Sequence, residues 1–141
     1  LRLADRQSYE GEAAMYLEAM ATRYFEENGL DGISPFPLDF SQNIPTTALL
    51  KHIIEALDKG ERRSLIAARF HLSLVESIRQ VADNLKIKKI AFSGGVFQNG
   101  LLVDLIKHYL PNDLYFHREL SPNDENISFG QLMYYLIEQK K

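Results

Sequence analysis

With 141 residues, 45% of them hydrophobic, the chain has the length of one ordinary domain and enough apolar side chain to build a core, so one compact unit over residues 1–141 is expected. A net charge of −3, with Lys and Arg scattered, leaves no basic stripe and argues against a nucleic-acid partner. The lack of cysteine excludes disulfides, thiolate metal sites and a cysteine nucleophile and suits a reducing cytoplasm, while no apolar run approaches the ~18 residues that span a membrane.

Residues 1–8 lack the apolar segment of a secretion signal, and the chain begins with Leu rather than Met, which points to a piece of a longer protein. From 10 to 28, Ala14, Leu17, Ala21 and Tyr24 recur at helical spacing, with Asn28-Gly29 as the stop. Gly32, Pro35 and Pro37 mark 30–42 as a loop with a short extended piece at 38–40. Ile44 precedes a proline and is pushed away from helical dihedrals, whereas Pro45 suits a first turn. A second helix therefore starts there, with Leu49, Leu50, Ile53, Ile54 and Leu57 as its apolar face and Gly60 as its end.

A long helix over 61–85 carries Ile66, Phe70, Leu74, Ile78, Val81 and Leu85 in steps of four and three. Residues 88–92 form a strand that runs into Ser93-Gly94-Gly95, and Leu102, Ile106 and Tyr109 mark the next helix. A second strand at 114–117 completes a βαβ order, which implies a parallel pair with a right-handed crossover. The turn at Ser121-Pro122-Asn123-Asp124 leads to a last helix with Phe129, Leu132, Met133, Leu136 and Ile137 on its apolar face.

Two segments carry candidate chemistry. Two glycines where a strand hands over to a helix form either a tight turn or a place where the backbone and helix N-terminal amides approach a ligand at the carboxyl edge of the sheet. The GxxxxGK[ST] phosphate loop is absent, so a nucleotide would be held in another way. The second segment, Pro122-Asn123-Asp124-Glu125-Asn126, lies beyond the neighbouring strand at the same edge. Asp124 is either a hard oxygen ligand for a metal ion or, with Asn123, a cap for the helix that follows. The four histidines show no HxxxH or HExxH pairing, and His71 reads as a partly buried, hydrogen-bonded core residue. Ser8-Tyr9-Glu10-Gly11-Glu12, at a helix start, fits both a cap and a dock for ribose or phosphate.

Taken together, Tyr9-Glu10-Gly11-Glu12-Ala13-Ala14, Ser93-Gly94-Gly95-Val96-Phe97-Gln98-Asn99 and the run from Ser121 to Gln131 resemble, in order, the C-terminal part of the HypF family of hydrogenase-maturation carbamoyltransferases. Phe70-His71 is similar to that family's pattern as well. The resemblance implies an α/β fold: the C-terminal lobe of an actin-like (ribonuclease H-like) ATPase domain, helix-rich with a short parallel strand pair. It also implies a reaction. Carbamoyl phosphate and ATP give a carbamoyl-adenylate, and the carbamoyl group passes to the C-terminal cysteine of the partner HypE, later to become a cyanide ligand of the NiFe-hydrogenase iron.

By the same resemblance, Ser93, Gly94, Gly95 and Asn99 would contact the nucleotide, Gly11 and Glu12 would line its ribose or phosphate side, and Asp124 would be one ligand of a divalent metal ion. No catalytic residue is implied within this chain. Two departures stand out: Asp124 is followed by Glu125-Asn126 where the family shows Gly-Gly, and Gly100 stands where an Arg often follows the Asn. The family's paired metal-binding histidines belong to a preceding lobe, and its acylphosphatase-like, zinc-finger and adenylate-forming domains lie outside this sequence. The expectation is thus a fragment of an enzyme, itself inactive and weak in ATP binding. The alternatives are a threonylcarbamoyl-transfer protein acting on tRNA, a sugar-kinase-like phosphotransferase, or a non-catalytic interaction module.

Overall fold

The computed structural model describes residues 8–40 and 44–139. Its elements, in chain order, are α1 (Glu12–Asn28), α2 (Thr46–Asp58), α3 (Arg63–Asn84), β1 (Lys89–Ala91), α4 (Gly100–Tyr109), β2 (Asp113–Tyr115) and α5 (Ile127–Glu138). Short 3-10 turns occupy Gly95–Gln98 and Asp124–Asn126. The boundaries follow the punctuation of the sequence. α1 closes on Gly29, whose N–H donates to Phe25 O at 2.8 Å, and Pro45 stands immediately before α2, where its missing N–H costs nothing.

α3 is the spine, with α1, α2 and α4 all packed against it. Ala21, Ala67 and Ala68 meet where α1 lies along α3, small side chains that let the two backbones come close. Phe36, Ala56 and Ile66 join α2 to α3, while Leu72, Val75, Phe92, Leu102, Leu105, Ile106 and Leu110 form the largest cluster, shared by α3, the residue that follows β1, and α4 with its C-cap. The loop after α1 is pinned across α3 by Ser73, whose Oγ accepts from Phe36 N at 2.9 Å and donates to Arg69 O at 2.8 Å. Arg69 in turn lies 4.1 Å above the Phe36 ring.

Several expected faces are corrected. On α3 only Ile66 of the predicted stripe is fully buried; Phe70, Leu74 and Ile78 are half-buried, and Val81 and Leu85 are exposed, Leu85 at 65%. A helix hemmed in by three neighbours buries several faces, so Ala67, Ala68, His71, Leu72, Ser73 and Val75 fill the core while the apolar line runs past its partners. On α2, Leu50 and Ile54 are exposed, and Ala56 takes the inward position beside Leu49, Ile53 and Leu57. Ala14 of α1 is exposed too, and residues 38–40 form no strand, although Phe40 is buried.

β1 and β2 pair in parallel in the register Lys89↔Asp113, Ile90↔Leu114 and Ala91↔Tyr115, with α4 as the crossover. Ile90 and Leu114 turn toward the core, whereas the flanking residues of both strands are exposed. Parallel sheets are ordinarily covered on both faces, but here one face of the pair is left bare by the described residues. α5 is barer still. Phe129, Leu132, Met133, Leu136 and Ile137 are all exposed, and the helix makes its main contact with the 3-10 turn that precedes it. The apolar face expected there exists in sequence but has nothing among the described residues to bury it.

Candidate functional site

Because the strands are parallel, the segments that leave them share one edge of the sheet. Phe92 N donates to Tyr115 O at 2.8 Å, extending the ladder by one step, and Phe92 then stacks on Phe116 with ring centroids 4.6 Å apart. Phe97 closes on Phe92 edge-on at 5.0 Å. These rings form the floor beneath the glycine turn. Above it, Ser93 Oγ lies 3.2 Å from His117 Nε2, Gly94 N donates to Pro122 O at 2.7 Å, and Gln98 Nε2 donates to Ser121 Oγ at 3.3 Å. The glycine turn and the Pro-Asn-Asp segment are therefore directly joined.

The two glycines have different reasons to be there. Gly94 has φ 106 and ψ 157, a backbone region that side-chain-bearing residues rarely enter. Gly95 has no such constraint, and a Cβ built on it would come only within 3.9 Å of Gln98 Oε1. Nothing among the described residues requires a bare backbone at Gly95. The N–H groups of Gly95 and Val96 also have no acceptor among the described residues. Two donors without an acceptor among the described residues thus lie on exposed residues beside an uncrowded Gly95 at the carboxyl edge.

The amides of Leu101 and Leu102, in the first turn of α4, are by contrast already engaged. Leu102 N donates to Asn99 Oδ1 at 2.8 Å, and Leu101 N donates to Glu18 Oε1 of α1 at 3.2 Å. Asn99 is held from its other end as well: its Nδ2 lies 3.1 Å from His71 Nε2. His71, 1% exposed, has its Nδ1 2.8 Å from Ala67 O. Burial pushes its pKa below the ordinary histidine range, countered in part by the Ala67 carbonyl and the Glu18 carboxylate. Asn99 therefore acts first as a helix cap, with one Nδ2 hydrogen left for anything else.

In the acidic segment, Asn123 performs the capping, its Oδ1 accepting from Glu125 N at 3.2 Å, while Asn126 Nδ2 donates to Ser121 O. Asn123 thus caps the 3-10 turn Asp124–Asn126, whereas α5 itself starts from Asn126 with no side-chain cap, so neither Asn123 nor Asp124 caps the last helix as expected. The carboxylate of Asp124 is exposed and has no partner among the described residues, where no cluster of three metal-ligating side chains occurs. At the start of α1, Gly11 takes a left-handed φ of 84, and Glu12 accepts hydrogen bonds from both the N–H and Oγ of Ser8. Among the described residues, no hydrogen bond joins Gly11 or Glu12 to the glycine turn; α1 instead reaches the first turn of α4, through Glu18.

A sequence family described as carbamoyltransferase, Kae1-like domain, second subdomain, matches residues 1–131. The chain belongs to the HypF carbamoyltransferase family. It is 33% identical over 138 residues to carbamoyltransferase HypF of Synechocystis sp., covering 93% of this chain and 17% of that protein. With carbamoyltransferase HypF of Rhodobacter capsulatus it shares 29% identity, covering 91% of this chain and 16% of that one. It thus spans less than a fifth of these relatives' length. Among solved structures, a full-length HypF in a phosphate- and nucleotide-bound form superposes with a TM-score of 0.79 at 26% identity, over 92% of this chain and 21% of the other. HypF of T. kodakarensis gives 0.73 at 27% identity, over 99% and 19% respectively. The α/β fold of this chain is that of the HypF C-terminal, Kae1-like region.

His71 is the hydrogen-bonded core histidine expected from sequence, though buried fully rather than partly, while two side chains at the site escape a reading by local pattern: Glu18 and His117. Glu18, partly buried in the structure, is one of several acids along α1 in sequence, and His117 stands alone beyond a strand. Only the parallel pairing, which sets His117 opposite Ser93, marks it.

Proposed function

We propose that this chain forms one wall of the ATP site of a longer carbamoyltransferase that uses carbamoyl phosphate and ATP to carbamoylate the C-terminal cysteine of HypE in the cytoplasm, the step that leads to the cyanide ligand of NiFe hydrogenases. The observation that carries the reading is the turn at Gly95 and Val96. Amides with no acceptor among the described residues, beside a Cα that none of those residues keeps bare, suit a polar, planar ligand lying against the backbone. A HypF relative solved with nucleotide supports the same class of ligand. Ser93 and the spare Nδ2 hydrogen of Asn99 would flank it, and Gly11 and Glu12 would lie toward its ribose or phosphates.

The wall is one-sided. The bare sheet face, the exposed α5 and a groove of about 420 Å³ along Ile78, Val81, Ile87 and Ile90 are surfaces a second lobe would cover. Asp124 fits a hard divalent cation as one carboxylate donor of several, the others coming from outside the chain. Such an ion would screen the phosphate charge of ATP. Held from a single side, ATP would bind this chain weakly, with its phosphates in water.

Carbamoyl-phosphate-dependent ATP turnover by the longer protein tests the reading. Asp124→Ala is expected to lower turnover by about a hundredfold or more while the unfolding midpoint stays put, in line with the loss of a group that places the reacting phosphates. Unchanged turnover in that variant would remove Asp124 from the site.

A further inference from the structure

Resting on the reading of the glycine turn as a ligand site, we infer that His71 is a positioning residue for that turn, acting through Asn99 and only as the neutral imidazole protonated on Nδ1. The hydrogen-bond directions leave one solution. Leu102 N–H can only donate, so the atom of Asn99 facing it at 2.8 Å is Oδ1, and Nδ2 must face His71. Nδ2 can only donate, so His71 Nε2, 3.1 Å away, is the acceptor. The remaining ring proton sits on Nδ1, where the Ala67 carbonyl accepts it at 2.8 Å. Carbonyl, imidazole, carboxamide and α4 amide form one directed chain from the middle of α3 to the first turn of α4.

Adding a proton to His71 breaks the chain at a defined point. Nε2 then becomes a donor facing the Asn99 donor, and the carboxamide must turn over to present Oδ1 to the imidazolium. Its NH₂ is then set against the Leu102 N–H, and the α4 cap is lost. Asn99 also closes the Gly95–Gln98 turn, its N–H donating to Val96 O at 3.2 Å, so the loosened residue is the hinge between the free amides and α4. The groups around the ring are few. From α1 the Glu18 carboxylate acts on it; α3 presents the Ala67 carbonyl, with the Phe70 ring edge-on at 5.7 Å, and α4 presents Asn99. Glu18 favours the proton, but it is itself drawn to Leu101 N, and burial outweighs it.

The sign follows from the neutral form being the one the fold accepts. The contribution of His71 is complete above its unfolded pKa, about 6.5, and is lost as pH falls from there through its lower folded value. The test is NMR on the 141-residue chain, reading the His71 ring nitrogens and the protection of the Leu102 amide, corrected for intrinsic exchange, across the imidazole titration. Nδ1–H as the neutral tautomer is expected, with Leu102 protection falling roughly fivefold as His71 protonates, the equilibrium equivalent of one cap. His71→Gln keeps an uncharged acceptor near the Nε2 position and should hold Leu102 protection constant over the same range. An Nε2–H tautomer, protection indifferent to the titration, or a Gln variant that tracks the native chain would each overturn the inference.

If the Gln variant fails to fold, Asn99→Asp takes its place: a carboxylate there still caps Leu102 but pairs with imidazolium, so the His71 pKa should rise clearly. An unmoved pKa would refute the contact. None of these readouts needs a ligand, whereas an ATP titration followed at the amides from Ser93 to Asn99 judges the nucleotide reading on its own.

Discussion

Gly94 and Gly95 are neighbours in sequence with separable roles. At Gly94 the backbone itself excludes a side chain, so Gly94→Ala should destabilise the chain by at least about 1 kcal/mol even though an added Cβ would touch nothing. At Gly95 an added methyl meets ordinary space, and Gly95→Ala should stay within about 0.5 kcal/mol of the native chain. Urea unfolding of the two variants measures the difference directly. Equal losses would mean that Gly95 is structural and that its bareness has no bearing on a ligand. The paired glycines were legible in sequence, but which of them the fold requires was not, because that depends on dihedral angles set by the ladder to Tyr115 and the bond to Pro122.

Among the elements, α3 shows how far periodicity carries. Spacing located the helix to within two residues at its start and one at its end, yet the predicted stripe is not the core face. The expectation is that Ile66→Ala, at a fully buried site, costs about 2–5 kcal/mol, whereas Leu85→Ala costs less than about 0.5 kcal/mol. A large loss at Leu85 would restore the apolar line as the packed face. The strand pair was legible because its signals are local: a short apolar run, a glycine turn, a helix and a second run admit few topologies. His71 and Asn99, 28 residues apart, were not, since neither residue's neighbourhood marks the other. Placing the acidic segment at the same edge as the glycines needed only the parallel order, and the bond from Gly94 to Pro122 joins them there.

For the whole molecule, the informative feature is apolar surface that the chain does not use. α5 exposes Phe129, Leu132, Leu136 and Ile137 and adds little to the packed helices. Replacing Leu132 and Leu136 together by Ser should therefore leave the unfolding midpoint nearly unchanged while reducing self-association, seen by light scattering at high concentration. A marked fall in stability would show that α5 packs on its own chain. In sequence this helix is indistinguishable from a core helix, because amphipathic spacing specifies a face and not what covers it.

The most direct test of the nucleotide wall is hydrogen exchange at Gly95 and Val96 in the longer carbamoyltransferase, with and without MgATP and carbamoyl phosphate. Those two amides, which have no acceptor among the described residues, should exchange rapidly in the free protein and become protected by about tenfold or more on nucleotide binding, an effect that Gly95→Val should abolish. Nucleotide that binds and turns over while both amides exchange as fast as before would contradict the account.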